Sequence, residues 1–246
     1  VLSEIFRGNN EVREAARAGV QIDTVSVASA SDAASAADGS GKITGAIRPP
    51  AVAGSFYPAD RTALKQLITH QLDYSREVLQ QLEPTLPAGV PKAVIVPHAG
   101  YVYSGTAALA YALLERGRGS VTRAVIVGPT HRVAVEALLL YRSGFETPLG
   151  TVPVDVVAER KALGLESASD EPLRSGTHAR PGAPAPAMIV NDPTHTQEHA
   201  VEVQIPFLQT VLGPDLTIVP LNAGDATPQE VAMCCVLCGA DRKPSS

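Results

Sequence analysis

Three short stretches of the chain, Ala93–Val96, Ala124–Val127 and Leu216–Leu221, are apolar almost without interruption instead of at every second position. Short β-branched runs that are apolar on both faces read as strands covered from both sides, the pattern of a parallel sheet wrapped by helices. The segments between them change period. Leu64, Leu67, Ile68, Leu72, Leu79 and Leu82 recur at helical spacing behind Asp60, so the pattern predicts a helix from an Asp60 cap to about Leu82. A second helix is expected over Thr106–Leu114, and a further strand over Val135–Tyr141. Phe145 to Val156, with its glycine and prolines, reads as a hairpin-like excursion with a helix starting at Asp155. A helix from Gln197 to Leu212 is predicted from the stripe Val201, Ile205, Leu208 and Leu212, with a Thr194 and Gln197 capping box and a kink at Pro206. A last helix should run from Pro228 behind Thr227. Strands alternating with helices give an α/β fold with a doubly wound, mainly parallel central sheet.

The pattern weakens at three places. Residues 1–18 carry Leu2, Ile5, Val12 and Ala15 among charges and suggest a short peripheral helix, and Ser26 to Gly41 is an Ala/Ser/Asp/Gly tract that reads as a flexible linker. Residues 1–47 are therefore set apart from a compact domain over 48–232. Residues 166–188, with ARPGAPAPA at their heart, read as a loosely packed surface insertion, and 233–246 as a divergent tail.

Two of the buried runs end alike. Val96 is followed by Pro97 and His98, and Val127 by Gly128, Pro129, Thr130 and His131, so each strand delivers a histidine at its carboxyl end. Ligands of open α/β sheets bind outside the carboxyl ends of the strands, which brings both imidazoles to one crevice. Imidazole serves both as a neutral metal ligand and as a general base, and spacing leaves those roles open. Tyr101, Tyr103 and Thr130 flank the two histidines as candidate substrate-pocket groups. Glu198 and His199 add a carboxylate and a third imidazole, a pair suited to acid–base or metal chemistry. Glu202, four residues on, reads as a solvent-facing acid.

Composition removes several alternatives. The chain has 246 residues, 45% hydrophobic and 18% charged, with a net charge of -5 and no basic run, which argues against nucleic acid as a partner. No apolar stretch is long enough for a membrane span, and no signal-peptide pattern opens the chain, so the expected location is cytoplasmic and away from membranes. The three cysteines, Cys234, Cys235 and Cys238, lie together near the end and suit neither a disulfide framework nor a complete zinc site.

Taken in order, RPPAVAGSFYP, VPHAGYVYSG, VGPTH, TPLGTVPVD, QEHAVEVQIPFLQ and TIVPLNAG resemble the Memo family, whose fold is similar to that of the class III extradiol ring-cleaving dioxygenases. The resemblance runs from about Arg48 to Gly224. It implies a divalent metal, Fe(II) first with Zn or Cu as alternatives, held by His98 and His131, with His199 and Glu198 as catalytic groups. It also implies a small-molecule or peptide ligand, and radical-SAM and AMMECR1-like proteins as partners. The family pattern continues with a Ser-Ser-Asp strand end, a histidine and a later metal-binding cysteine, whereas this chain ends in AMCCVLCGADRKPSS, so the domain reads as C-terminally incomplete, with only two imidazoles for the metal and weak affinity in consequence. Three functions compete. They are a non-haem iron oxidoreductase of dioxygenase type, a non-catalytic scaffold using the same crevice, and a zinc-dependent hydrolase.

Overall fold

Two adjacent strands carry the fold, because each is buried on both faces: β3, Arg123–Pro129, and β8, Thr217–Ala223, pair in parallel from Arg123 opposite Thr217 to Pro129 opposite Ala223. In this computed structural model, residues 22–28, 47–82, 86–135, 137–141, 143–165, 173–181 and 188–239 are described. The other strands are β1 (Ile22–Ala28), β2 (Ala93–Pro97), β4 (Leu138–Leu140), β5 (Gly144–Thr147), β6 (Gly150–Pro153) and β7 (Met188–Val190). Six of them form one sheet in the order β2-β1-β3-β8-β4-β7, while β5 and β6 make a separate hairpin. β1 runs antiparallel to both β2 and β3, so β2, β3 and β8 point the same way and present their carboxyl ends together. β4 is antiparallel to β8 and parallel to β7.

The sheet is covered on both sides at β3 and β8, which is why these strands lack polar alternation. β2, expected to be buried on both faces, buries only Val94 and Val96 and leaves Ala93 and Ile95 exposed. On one face Ala124, Ile126 and Ile218 join a core with Leu64, Ile68 and Leu72 of α1 (Arg61–Leu82), Tyr111 of α2 (Ala107–Leu114) and Phe207 of α5 (Ile205–Leu212). On the other, Val125, Val127, Val219 and Leu221 pack on Ala158 and Ala162 of α3 (Val156–Ala162) and Cys234 of α6 (Pro228–Gly239). The α/β, doubly wound expectation is met by these two layers. No helix among the described residues is long and apolar enough to cross a membrane.

Local chemistry starts the helices. Asp60 accepts from the Ala63 amide at 2.8 Å and caps α1, and Asp155 accepts from the Ala158 amide at 2.9 Å and caps α3 while its other oxygen takes the Arg123 Nε–H.

Several expectations need correction. The single helix over Gln197–Leu212 does not form: α4, Asp192–Gln197, is capped by Asn191 accepting from the Thr194 amide, Glu198 is extended at φ -79° and ψ 135°, and α5 begins only after a 3-10 turn over Glu202–Gln204. Pro206 lies in the first turn of α5, where its missing N–H has no partner to lose, so it starts a helix and bends none. The linker expected from Ser26 gives way, over Ser26–Ala28, to the end of β1, where β-branched residues earlier in the strand favour pairing. The rest of that tract and residues 1–18 lie outside the described residues. Within the expected surface insertion, Leu173 and Met188 are buried, and the Ala179 amide donates to Met188, so residues 173–181 are tied to the sheet edge. Residues 233–239 of the expected tail continue α6, and residues 240–246 lie outside the described residues.

Candidate metal centre

His98 and His131 leave the parallel strand ends as the sequence requires, and their Nε2 atoms stand 3.2 Å apart. Nitrogens that share one ion at bond lengths of about 2.1 Å sit roughly 3 to 4 Å from each other, so this spacing fits a common cation. His199 joins them from the turn after α4. Its ring lies 4.6 Å from that of His131 and 5.7 Å from that of His98, and one ligand atom from each of the three falls within 4.8 Å of the others. His98, His131 and His199 thus form a group able to bind a divalent metal. His199, expected from the sequence as a base beside two metal-binding imidazoles, also lies close enough to offer a third donor.

Glu198 organises the trio from behind. It is buried, and its carboxylate accepts from the His131 amide at 2.7 Å, the His199 amide at 2.8 Å and the Ala200 amide at 3.2 Å. The His131 ring approaches at Nδ1, 2.9 Å away. A carboxylate only accepts, so that ring carries its proton on Nδ1 and presents the Nε2 lone pair to the site. Burial by itself pushes the Glu198 carboxyl up, but the His131 amide and ring and the other two amides outweigh it and leave the carboxyl below its ordinary range. Held by these donors, Glu198 orients the His131 ring and the turn that carries His199. Burial pushes the His199 imidazole down, and the neighbouring His131 and His98 push the same way against the pull of Glu198, which favours the neutral ligand form.

The centre opens on a hollow of about 420 Å³ lined by Ser55, Phe56, Ala99, Gly100 and Tyr103 beside His98 and His199. Phe56 lies over His199 with ring centroids 4.7 Å apart. Tyr103 is 82% exposed and forms the rim. Tyr101, expected in the pocket, is instead in the core, where its ring packs on Tyr57 and Phe207 and its hydroxyl donates to the Val203 carbonyl at 2.7 Å. Residues 100–104 form a turn in which the Tyr103 and Ser104 amides donate to the Gly100 carbonyl, and it sends Tyr101 into the core and Tyr103 to the surface. Thr130 is half-buried, with its amide donating to Ala223 across to β8. A larger apolar hollow of about 640 Å³ lies between β2 and α2, with none of the three histidines in its lining. It offers none of the trio's donors, so chemistry and not size locates the site.

Three buried polar groups escape a reading of the sequence. Glu202, expected in solvent, is fully buried: its carboxylate accepts from the Arg48 guanidinium at 2.7 Å, the Ala51 amide at 2.9 Å, the Val52 amide at 3.0 Å and the Tyr57 hydroxyl at 2.6 Å. Arg48 is buried against the face of Phe145, 5.0 Å from its centroid, and also donates to the carbonyls of His195 and Glu198. His195 is buried on α4, where Nε2–H donates to the Leu139 carbonyl and Nδ1 accepts from Asn222, and burial pushes its pKa down to about 4. Only a lone arginine opening a proline-bounded stretch, and a second histidine just before Glu198, hint at these partners.

Comparison with known proteins finds one family and several relatives. A family model described as Memo-like protein matches residues 48–236. A MEMO1 family protein of Thermoplasma volcanium is 34% identical over 180 residues, covering 73% of this chain and 56% of that protein. MEMO1 family proteins of Thermotoga petrophila and Ignicoccus hospitalis are 36% and 37% identical over 187 and 188 residues, covering 74% of this chain and 59% and 58% of theirs. The chain therefore spans less than two thirds of the length of these curated relatives.

Proposed function

Since the chain belongs to the Memo-like protein family, we propose that His98, His131 and His199 hold a divalent cation, Fe(II) first, at which a small ligand in the adjoining hollow is oxidised by dioxygen. The observation that carries the proposal is the convergence of three imidazoles on one point beside an open, partly aromatic cavity. Imidazole donors suit iron, zinc and copper, and three of them leave coordination positions free for a ligand. When bound, a redox-active ion supplies those open positions and one-electron chemistry. The protein's own groups do the rest. Glu198 keeps the His131 proton on Nδ1 and fixes the ring, while burial keeps His199 neutral. Phe56 covers one side of the hollow against water, and Tyr103 stands where an incoming ligand first meets the site. The setting proposed is cytoplasmic, with a small molecule as the immediate partner.

A second reading is favoured by the third histidine itself. An all-imidazole set is also the donor set of zinc hydrolytic centres, where the bound water is acidified to near neutrality. One experiment separates the two. The chain is loaded anaerobically with Fe(II) or Zn(II), its metal content is measured, and dioxygen uptake with a panel of catechols is compared with hydrolysis of activated esters. Uptake by the Fe(II) form alone, lost in His98→Ala and His131→Ala, supports the oxidative reading. Ester hydrolysis by the Zn(II) form, lost in the same variants, replaces it with the hydrolytic one. Failure to load either ion, or equal loading of His98→Ala/His131→Ala, removes both.

A further inference from the structure

We propose that Arg48 and Glu202 are positioning residues of the metal centre: their buried ion pair locks the turn that carries Glu198 and His199, and so sets how well the trio grips a cation. The inference rests on the trio binding a metal, as proposed above. Its geometric basis is that one guanidinium spans both ends of the segment in which the chain leaves α4 and extends towards the site. Arg48 donates from Nε to the His195 carbonyl and from one terminal nitrogen to the Glu198 carbonyl at 2.7 Å, while the other terminal nitrogen meets Glu202. Helix C-terminal carbonyls lack partners within the helix, and a planar five-donor fork can satisfy two of them and a carboxylate at once, where a lysine ammonium cannot hold that geometry.

The hold passes directly to the ligands. With its carbonyl on Arg48, Glu198 has its carboxylate on the amide and ring of His131 and on the amide of His199. Glu202 closes the arrangement from the other side by accepting from Ala51, Val52 and Tyr57, which fixes the 51–57 segment and with it Phe56, the ring lying over His199. Buried ion pairs add little net stability, because desolvation cancels most of the attraction, so stability alone does not account for a charged pair at 1% and 0% exposure. Fixing one geometry does.

The test is a Co(II) titration of the full chain, read by visible absorption, which reports both affinity and coordination geometry. It is run beside metal-free thermal unfolding for the wild type, His131→Ala, Arg48→Lys, Tyr57→Phe and the paired variant Arg48→Met/Glu202→Gln. Tyr57→Phe takes one hydroxyl from Glu202 without loss of volume, and the paired variant removes both charges while leaving an acceptor for Val52 and Tyr57. Expected are a single Co(II) bound by the wild type and loss of binding in His131→Ala. In Arg48→Lys and the paired variant, affinity should fall about 10- to 100-fold with altered bands, the size typical of groups that orient ligands. Tyr57→Phe should weaken binding by up to about 5-fold, the share of one hydrogen bond. Wild-type affinity and bands in Tyr57→Phe together with either Arg48 variant, even with a lowered unfolding temperature, would overturn the proposal in favour of a purely structural pair. Absence of Co(II) binding in the wild type, or its persistence in His131→Ala, overturns instead the metal reading on which it rests.

Discussion

A carboxylate that receives three amides and a ring N–H is a poor base and a good anchor, and Glu198 is in that state. Glu198→Gln keeps the volume but turns one acceptor into a donor facing donors, so divalent-metal affinity by calorimetry should drop about 10- to 100-fold. The stability effect has a definite pH sign. The folded carboxyl titrates below its ordinary value of 4.5, so its contribution is complete above that value and disappears as pH falls through the lower folded one. The cost of Glu198→Gln should therefore be flat from pH 8 to pH 5 and shrink below about pH 4. His195 adds an acid sensitivity of its own. Its folded pKa is about 4 against an ordinary 6.5, so between those values the unfolded chain holds more protons than the folded one. Stability is then complete above the upper value and is lost on acidification towards the lower, by roughly 3 kcal/mol in all. Urea unfolding of the metal-free chain from pH 7.5 to pH 4.5 should show this slope, and His195→Gln, which retains a donor for the Leu139 carbonyl, should flatten it. An unchanged slope in His195→Gln would assign the acid sensitivity elsewhere.

At the scale of elements, the centre depends on how closely the end of β3 approaches the turn after α4. Gly128 lies at that contact: a Cβ built on it would stand 2.8 Å from the Cβ of Ala200. The requirement is for close approach, since backbone on both sides leaves no flexible side chain to yield. Gly128→Ala should destabilise the fold by about 1 to 3 kcal/mol and move the Glu198–Ala200 turn off His131, with weaker metal binding as the second readout. A stable variant with unchanged affinity would show that the turn can retreat without moving the ligands. The same contact marks the boundary of what the sequence discloses. β3 and β8 are legible because burial on both faces suppresses alternation, and β2 because it is apolar throughout although only Val94 and Val96 are buried, and with them the placing of His98 and His131 at strand ends. α1 is legible because one amphipathic face and an Asp60 cap are local signals. The 197–212 segment misleads because its apolar stripe continues through a break that is made from outside, by Arg48 capping carbonyls about 150 residues away and by Asn191 starting α4 early. Glu202 shows the same limit: an acid at helical spacing looks solvent-facing until a distant arginine and two amides of the lead-in segment enclose it. β1 is hidden in low-complexity surroundings, with only Ile22, Thr24, Val25 and Val27 to mark it.

At the scale of the molecule, the three imidazoles come from three separate parts of the chain, following β2, following β3 and following α4, and only the folded sheet brings them within 4.8 Å of one another. An unfolded chain offers the same side chains singly, with far weaker hold on a cation. Binding must then stabilise the native state by mass action, by about 2.7 kcal/mol when free metal is at 100 times its dissociation constant. For a domain of this size each kcal/mol raises the melting temperature by about 2 to 4 °C, so saturating Zn(II) or anaerobic Fe(II) should raise it by roughly 5 to 10 °C, increasing with the logarithm of free metal. His98→Ala, His131→Ala and His199→Ala should each reduce that shift sharply while leaving the metal-free melting temperature near that of the wild type, because the rings contribute more to the centre than to either hydrophobic layer. A shift that survives in His199→Ala but not in the other two would return the site to two imidazoles and restore His199 as a base beside the metal. A shift that survives in all three would mean that the stabilising cation binds elsewhere, and the convergence of the strand ends would then need another explanation.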